Sequence, residues 1–399
     1  MATDKKRDKL IAETLTRNVD QVIVHQTLEK KLRSGQKLRI KLGIDPTGPK
    51  IHLGYAAVLW KLRSFQEMGH KIVLIIGDFT AQIGDASDKN SERPMLSAEE
   101  VKQNEKTYSS QLAKILDPAK TEFRYNSEWF GKIQLNEFIK LASSFTIQQM
   151  VERDNFARRI EAGKPVGLHE TLYPILQAYD SVMVKADLEL GATDQLFNML
   201  AGRSLQKFFG QEPQSVMTMA LLEGTDGRKM SKSWGNCIYI TDAPIDMYGK
   251  VMAITDELIP MYFKMCTDVE LEVIEEVEHN MAAGDNPRDT KASLARAIVA
   301  RYWGEDKAVA AEESWNRQFR VGEKPTHIEE IVIKKEKPHN LVDFISEHFH
   351  LSKSEARRLI NQNGVRVNDE VVTESEVELR DNMVIQIGKR RYKQIRLAK

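Results

Sequence analysis

Two lysines three residues apart lie in a polar, serine-containing segment past the middle of the chain. The segment reads Gly227-Arg228-Lys229-Met230-Ser231-Lys232-Ser233. A loop of this type can fold over a nucleoside triphosphate, and its two ammonium groups can stabilise negative charge that develops on the phosphates. Short lysine and serine stretches are also common on solvated surfaces. The segment alone therefore fits two interpretations equally well. Either its residues Lys229, Lys232 and Ser233 bind phosphate, or they belong to an ordinary solvated surface.

A second group of residues, far upstream, favours the phosphate clamp. Gly43, Asp45 and Thr47 follow one another at the end of an apolar run, and His52 and Gly54 stand where a helix is predicted to begin. The first N–H groups of a helix and its partial positive charge suit an anion. A glycine at position 54 lets a nucleotide approach the backbone closely. His52 could donate to a phosphate oxygen, although a histidine before a helix is more often a capping residue.

The elements that must position these residues alternate between strands and helices over the first two hundred residues. We predict strands at 38–44, 71–76, 121–125, 181–185 and 215–219 from their apolar and β-branched content. Helices are predicted at 53–68, at 97–115 behind a Ser-Ala-Glu-Glu capping box, and at 198–209. Such alternation predicts an α/β fold with a Rossmann-like parallel sheet covered on both faces.

The pattern changes after residue 240, which indicates further domains. Residues 241–321 are rich in helical periodicity, 322–338 read as a linker, and 339–399 combine two short helices with short strands. We therefore predict a Rossmann-like catalytic domain over 1–240, a helical domain over 241–321, and a small α+β domain over 339–399. The last residues, 388–399, are basic and read as a tail that could contact phosphate.

Composition excludes several classes of protein. Lysine plus arginine and aspartate plus glutamate both number 58, so no global charge attracts nucleic acid. Two cysteines, Cys237 and Cys266, cannot build a disulfide framework or a zinc site. No apolar run has membrane-spanning length, and the polar residues 1–9 resemble neither a signal nor a transit peptide. We expect a cytoplasmic protein without a membrane partner.

Several motifs together resemble those of the class I aminoacyl-tRNA synthetases. The two signatures of that class match 52–55 (His-Leu-Gly-Tyr) and 229–233 (Lys-Met-Ser-Lys-Ser). Between them, 173–180 and 191–195 are similar to the amino-acid and ribose segments of the bacterial-type tyrosyl enzymes, as is Gly84-Asp85 followed by Lys89 and Arg93. The motifs occur in the family's order over nearly the whole chain. The resemblance implies an enzyme, a tyrosine–tRNA ligase.

The resemblance also implies how tyrosine would be bound. Tyr173, Gln177 and Asp85 would surround its ammonium group, Gln195 would lie near its carboxylate, and Asp180 would accept the hydrogen bond of its phenol. Spacings of four and three put Tyr173, Gln177 and Asp180 on one helix face. A solvated polar face would show the same spacing. Phenylalanine would leave the Asp180 acceptor buried and unpaired, which disfavours it.

The reaction that the resemblance implies has two steps. The tyrosine carboxylate attacks the α-phosphorus of ATP to give tyrosyl-adenylate and pyrophosphate, and the 3′ end of tRNA(Tyr) then takes the tyrosyl group. Catalysis would rest on positioning and charge stabilisation. The phosphate-stabilising residues would be Thr47, His52, Lys89, Arg93, Lys229, Lys232 and Ser233. Gly43, Asp45, Gly54, Asp194 and Lys232 would contact ATP. Mg²⁺ would arrive with the triphosphate and be held mainly by its oxygens, with no metal site on the protein.

Four positions depart from the family pattern, one of them Ala86, which follows Asp85 where proline is usual. Tyr55 stands where the second histidine of the signature is usual, and Ala192 where glycine is usual. Lys41 stands where one branch of the family has a tyrosine near the substrate phenol. We interpret Lys41 as a mark of the other branch and not necessarily as a ligand.

The C-terminal domain resembles a small RNA-binding module that also occurs in a ribosomal small-subunit protein. Its candidate RNA contacts are Lys353, Arg357, Arg358, Lys389 and Arg390. A solvated helix with ion pairs to Glu355 is the alternative for the first three.

Three functions are compatible with these motifs. The first is a tyrosine–tRNA ligase that acts as a homodimer, with 134–150 as the candidate interface. The second is the related tryptophanyl enzyme, which shares the catalytic fold and has no need of the Asp180 acceptor. The third is a non-catalytic RNA-binding protein descended from a synthetase, which would have no need of the phosphate-stabilising groups.

Overall fold

The chain divides into two units, residues 1–312 and 313–399, which are described separately. The computed structural model describes residues 2–85, 95–231, 234–317, 328, 330–333, 339–349, 351–374, 376–377, 379–388 and 391–397. The predicted boundaries at 240, 321 and 338 are finer than this division and stay predictions.

A six-stranded sheet, in the order β1-β6-β5-β2-β3-β4, forms the centre of the first unit. Its strands are β1 (Val19–Ile23), β2 (Arg39–Ile44), β3 (Lys71–Ile76), β4 (Thr121–Tyr125), β5 (Leu188–Ala192) and β6 (Ser215–Met219). Five of them run parallel, and β1 joins the edge antiparallel to β6. The sheet confirms the Rossmann-like α/β prediction and adds an edge strand that the sequence did not indicate.

Helices connect these strands and continue beyond the sheet. They are α1 (Ala2–Thr16), α2 (His25–Arg33), α3 (Leu53–Glu67), α4 (Thr80–Ile83), α5 (Ala98–Glu105), α6 (Tyr108–Leu112), α7 (Ser127–Phe130), α8 (Leu135–Ala142), α9 (Ile147–Val151), α10 (Asp154–Glu161), α11 (Leu168–Val184), α12 (Leu196–Phe208), α13 (Pro244–Met252), α14 (Ile259–Cys266), α15 (Leu271–Ala282), α16 (Pro287–Trp303) and α17 (Glu305–Asn316). The helix-rich character predicted after residue 240 is therefore confirmed for the described part of that segment.

The central strand β3 shows why the sheet is buried on both faces. Val73 and Ile75 pack in one cluster with Leu176 of α11 and with Trp129. The side chains of Ile72 and Leu74, which point to the opposite face, are also fully buried. A strand buried on both sides has a continuous apolar sequence, and for that reason the sequence predicts β3 with its correct bounds.

Two elements of this unit differ from the sequence prediction. The strand predicted at 181–185 is wrong, because those residues complete α11, and the strand lies instead at Leu188–Ala192. A buried glutamate, Glu189, interrupts the apolar run of that strand and hides it from a hydropathy pattern. The helix predicted at 97–115 does begin with the capping box at Ser97, but it ends at Glu105 and a separate helix follows at Tyr108–Leu112.

The second unit has its own small core. Its elements are β7 (Glu330–Ile333), β8 (His339–Asn340), α18 (Leu341–Phe349), α19 (Lys353–Asn361), β9 (Val365–Val367), β10 (Glu370–Val371), β11 (Glu376–Val377), β12 (Val384–Ile387) and β13 (Arg391–Leu397). One sheet has the order β10-β9-β12-β13-β7, and β11 pairs with β8. Leu341, Ile345, Val365 and Ile395 are fully buried at the centre of the unit. The unit is α+β, as predicted, but 391–397 form a strand and are not a free basic tail.

Candidate functional site

The candidate site lies where the order of the parallel sheet reverses direction. From β2 the chain continues through α3 to β3 on one side, while β5 pairs with β2 on the other. Ligands of open α/β sheets bind at such a point, outside the carboxyl ends of the strands. A cavity of about 700 Å³ occupies that place. Twelve of the predicted site residues line it: Gly43, Asp45, Thr47, His52, Gly54, Asp85, Tyr173, Gln177, Asp180, Asp194, Gln195 and Lys229.

The other predicted site residues lie elsewhere or outside the described part of the chain. Lys89, Arg93, Lys232 and Ser233 lie outside the described residues, and so do Lys389 and Arg390 of the C-terminal unit. Lys353, Arg357 and Arg358 lie on α19 of that unit. The Lys353 ammonium group is 2.8 Å from an Asp343 carboxylate oxygen. Arg358 Nε donates to Glu355 over 3.0 Å, as in the alternative with ion pairs on a solvated helix.

Helix α11 brings Tyr173, Gln177 and Asp180 to the cavity on one face, as their spacing predicts. Asp180 is 4% exposed, and Trp129 Nε1 donates to its Oδ1 over 2.9 Å. Asn126 Nδ2 also donates to the carboxylate, over 3.5 Å. Burial raises the pKa of Asp180 to about 7, although the charge of Lys41 and the hydrogen bond from Trp129 act in the opposite direction. The carboxylate is therefore a buried acceptor that titrates near neutral pH.

The predicted nucleotide and tyrosine subsites are joined through Asp45. The Tyr173 hydroxyl donates to Asp45 Oδ2 over 2.7 Å, and Thr80 Oγ1 donates to Oδ1 over 2.8 Å. Burial, reinforced by the Asp45 carboxylate, raises the pKa of Tyr173 well above its ordinary value. Tyr173 is thus a neutral hydrogen-bond donor at every physiological pH.

A buried arginine supports the second carboxylate of the cavity. Arg153 Nη2 donates to Asp85 Oδ1 over 3.0 Å, and Gln195 Nε2 donates to Asp85 Oδ2 over 2.7 Å. Arg153 is 5% exposed. The arginine fixes the Asp85 carboxylate in place, because a buried charge requires a partner. Asp85 thus presents a carboxylate at the cavity wall, which suits a substrate cation.

The corner after β2 positions His52 through a helix cap. His52 is the N-cap of α3, and its Nδ1 accepts from Tyr55 N–H over 3.3 Å. A Cβ added at Gly54 would lie 3.2 Å from His52 Nδ1, so a glycine there leaves room for the imidazole. Tyr55, which replaces the second histidine of the signature, has a hydrogen-bond partner of its own. Its hydroxyl donates to the Gly43 carbonyl over 3.2 Å and so ties α3 to the end of β2.

The segment 227–233, called the lysine loop below, is described up to residue 231, and Lys229, Met230 and Ser231 line the cavity. Lys229 Nζ donates to Asp194 Oδ2 over 2.8 Å. The buried Asn236 holds the loop, since its Oδ1 accepts from Ser231 N–H over 2.8 Å. Its Nδ2 donates to Asp226 over 2.8 Å and to the Lys229 carbonyl over 3.2 Å. Asp194, predicted to contact ATP, and Lys229, predicted to contact phosphate, therefore neutralise each other here.

Four residues of the site have no sequence signal of their own. Trp129, Asn126, Thr80 and Arg153 contact the predicted site residues Asp180, Asp45 and Asp85 from positions 35 to 68 residues away in the chain. No local spacing relates them to their partners. Among the described residues, no group of three or more histidine, cysteine, aspartate or glutamate side chains could hold a metal ion. In the same part of the chain, no helix has the length and apolarity needed to cross a membrane.

Two family descriptions match the chain. Residues 33–320 match the model for tRNA synthetases class I (W and Y). Residues 340–385 match the S4 domain. The first match contains every described residue of the cavity, and the second lies within the C-terminal unit.

Curated relatives are similar over nearly the full length. A tyrosine–tRNA ligase of Thermotoga maritima is 48% identical over 386 residues, which cover 96% of each chain. That of Dehalococcoides mccartyi (strain 195) is 46% identical over 385 residues, covering 96% of this chain and 97% of the relative. That of Bordetella pertussis is 45% identical, covering 96% and 95%.

Solved structures show the same fold at low identity. A tyrosyl-tRNA synthetase of Archaeoglobus fulgidus, complexed with L-tyrosine, superposes with a TM-score of 0.61 at 21% identity, covering 76% of this chain and 99% of that one. A C-terminally truncated mitochondrial tyrosyl-tRNA synthetase of Aspergillus nidulans gives a TM-score of 0.64 at 20% identity, covering 80% and 99%.

Proposed function

The chain belongs to the class I tRNA synthetases of the tryptophan and tyrosine type, its activity is that of a tyrosine–tRNA ligase, and we propose how its cavity carries out that reaction. It activates tyrosine with ATP to tyrosyl-adenylate and pyrophosphate, and it then transfers the tyrosyl group to the 3′ end of tRNA(Tyr).

The observation that carries the substrate assignment is the buried acceptor at Asp180. A carboxylate that is 4% exposed and held by the Trp129 indole can accept a hydrogen bond from a phenol inside the cavity. Phenylalanine would leave unfilled the accepting position of Asp180 that faces the phenol, which costs about 1–3 kcal/mol or more for a charged group. Asp85, Tyr173 and Gln177 surround the substrate ammonium group, and Gln195 lies near its carboxylate.

The nucleotide binds between the β2 corner and the lysine loop. Gly43, Asp45, Gly54 and Asp194 contact the nucleoside, with Asp194 on a ribose hydroxyl. Thr47 and His52 hold the leaving pyrophosphate from one side, and Lys229, Lys232 and Ser233 hold it from the other, with Lys89 and Arg93 closing over it. Lys229 exchanges Asp194 for phosphate when ATP arrives, since the ammonium group forms a charge-assisted hydrogen bond with either partner. Mg²⁺ accompanies ATP, coordinated by phosphate oxygens.

The C-terminal unit supplies contacts to tRNA. Its S4 domain carries Lys353, Arg357 and Arg358 on the exposed side of α19, and Lys389 and Arg390 follow later in the chain. The ion pairs of Lys353 and Arg358 are exposed to solvent and therefore weak, so both side chains can turn to RNA phosphates at little cost.

A homodimer is supported by an apolar surface in the predicted interface. Leu135 on α8 is 76% exposed and Ile147 on α9 is 79% exposed, and Ile139 between them is 58% exposed. Large apolar side chains so exposed and so close in the chain are typical of a surface that another protein covers. A second copy of this chain is the proposed partner. The enzyme acts in the cytoplasm, where tRNA(Tyr) is charged for translation.

ATP–pyrophosphate exchange tests the proposed function. We expect exchange driven by tyrosine, with phenylalanine and tryptophan at least about ten-fold less effective, because an unfilled buried acceptor costs about 1–3 kcal/mol or more and every 1.4 kcal/mol is a factor of ten. Exchange driven by tryptophan would identify the tryptophanyl enzyme. Exchange with none of the three amino acids would identify a non-catalytic RNA-binding protein.

A further inference from the structure

A fully buried ion pair lies beneath the tyrosine subsite. Lys41 on β2 and Glu189 on β5 are register partners in the sheet, and their side chains are 0% and 1% exposed. Lys41 Nζ is 2.9 Å from Glu189 Oε1. Among the described residues that line the cavity neither of the two appears. The pair therefore does not line the cavity, although Glu189 contacts Gln177, which does.

The three N–H groups of the Lys41 ammonium all have acceptors. Besides Glu189, they donate to the Gln177 backbone carbonyl over 2.9 Å and to Ser181 Oγ over 2.8 Å. Gln177 and Ser181 both belong to α11, the helix that carries the tyrosine-binding face. Lys41 thus has no N–H left for a phenol oxygen, and it fastens α11 to the sheet.

Glu189 fixes the orientation of the Gln177 side-chain amide. An ionised carboxylate only accepts hydrogen bonds, so the group that faces it must be a donor. Gln177 Nε2 donates to Glu189 Oε1 over 3.0 Å, and its Oε1 consequently points the other way. On that side Gln177 Oε1 accepts from Asn198 Nδ2 over 3.0 Å. The amide oxygen is the end of the Gln177 side chain that could accept from a substrate ammonium group.

The chain of amides continues to the second carboxylate of the site. Asn198 Nδ2 also donates to Gln195 Oε1 over 3.1 Å, and Gln195 Nε2 donates to Asp85. Every amide between Glu189 and Asp85 is thereby oriented by an acceptor-only group at each end. Because the low-dielectric interior strengthens such networks, loss of one end group disturbs the amide next to it most.

We propose that Glu189 and Lys41 are positioning residues for tyrosine recognition, which hold the Gln177 amide with its oxygen toward the substrate ammonium group. Glu189 directs the amide, and Lys41 supplies the counter-charge that lets a glutamate remain ionised in the core. The proposal rests on the proposed function, in which Gln177 contacts the ammonium group of tyrosine.

The test uses the full-length enzyme and two fragments of the substrate. Tyramine keeps the ammonium group and lacks the carboxylate, whereas 3-(4-hydroxyphenyl)propionate keeps the carboxylate and lacks the ammonium group. Each is measured as a competitive inhibitor of tyrosine-driven exchange. In Glu189→Gln the amide at 189 can donate or accept, so Gln177 is free to turn. We expect the inhibition constant of tyramine and the KM of tyrosine to rise about ten-fold, a change typical of one hydrogen bond to a charged group.

The same variant should leave the other parameters nearly constant. The inhibition constant of 3-(4-hydroxyphenyl)propionate, the KM of ATP and kcat should each change less than about two-fold, because the phenol and phosphate contacts do not involve Gln177. Equal weakening of both fragments would overturn the proposal, and so would no weakening of either. Failure of the wild-type enzyme to use tyrosine would instead refute the proposed function.

Two further variants guard against a general loss of folding. Lys41→Met/Glu189→Gln removes both charges together, so no buried charge is left unpaired, and we expect the same selective loss of tyramine. Glu170→Gln is the matched control, because Glu170 is also fully buried and paired with a buried cation, Arg159, at 2.8 Å. We expect Glu170→Gln to affect both fragments equally, if at all. A selective loss of tyramine in that control would overturn the proposal.

Discussion

The Asp180 carboxylate combines burial with a proposed role, which is to accept a hydrogen bond from the tyrosine phenol. Its pKa is raised to about 7, so the carboxylate is ionised above that pH and protonated below it. An ionised acceptor forms a hydrogen bond about twice as strong as a neutral one. Binding of the tyrosine phenol should therefore weaken as the pH falls through about 7.

The prediction at the residue scale is a pH profile. In the wild-type enzyme kcat/KM for tyrosine should fall about ten-fold from about pH 8 to about pH 5.5, which is the difference between a charged and a neutral hydrogen bond. Asp180→Asn, which cannot titrate, should flatten that fall and weaken discrimination against phenylalanine. Exchange driven by phenylalanine in the wild-type enzyme is the control, because any pH dependence from ATP appears there too. The same slope in Asp180→Asn would contradict the role of Asp180.

The sequence alone identifies the candidate site residues on α11, but it does not identify the residues that hold the site carboxylates in place. Tyr173, Gln177 and Asp180 share a helical spacing that can be recognised from the sequence alone. Trp129 contacts Asp180 from 51 residues away in the sequence, and Arg153 contacts Asp85 from 68 residues away. Such contacts depend on how the sheet is ordered, and no local pattern of residue types records them.

At the scale of an element, the conformation of the lysine loop depends on one buried side chain, that of Asn236. Asn236 receives the Ser231 N–H and donates to the Asp226 side chain and the Lys229 carbonyl. Gly224 fits against it, since a Cβ there would lie 2.3 Å from Asn236 Nδ2. Asn236 therefore sets the shape of the turn that presents Lys229.

Removal of that side chain should loosen the loop and spare the tyrosine subsite. We expect Asn236→Ala to lower the rate of adenylate formation up to about a hundred-fold, given roughly 1 kcal/mol for each of the three hydrogen bonds lost, with the dissociation constant of tyrosine nearly unchanged. Stopped-flow adenylate formation and equilibrium dialysis with tyrosine measure the two quantities. Asn280→Ala, at an exposed position of α15, is the matched control. Parallel losses of rate and tyrosine affinity in Asn236→Ala would contradict this division.

A strand can be predicted from the sequence where all its buried side chains are apolar. It is missed where one of the buried side chains is charged. β3 is apolar and buried from Ile72 to Ile76, and its predicted bounds agree with the structure. β5 contains Glu189, whose carboxylate is neutralised by Lys41 of the neighbouring strand. Because that compensation comes from 148 residues away in the chain, the pattern around Glu189 resembles a surface segment. The simple hydrophobic pattern therefore fails at Glu189, which contacts Gln177 of the proposed tyrosine subsite.

At the scale of the whole molecule, the exposed apolar surface of Leu135, Ile139 and Ile147 on α8 and α9 is the proposed dimer interface. Leu135→Asp and Ile147→Asp place charges in the proposed interface, where desolvation of an unpaired carboxylate costs several kcal/mol, enough to separate the copies at micromolar concentration. Sedimentation velocity should show the wild-type enzyme as a dimer and both variants as monomers with unchanged circular dichroism. Val273→Asp on α15, where the side chain is 45% exposed, is the control and should stay dimeric. A monomeric wild-type enzyme, or variants that remain dimeric, would contradict the interface, and the exposed leucine and isoleucines would then need another partner.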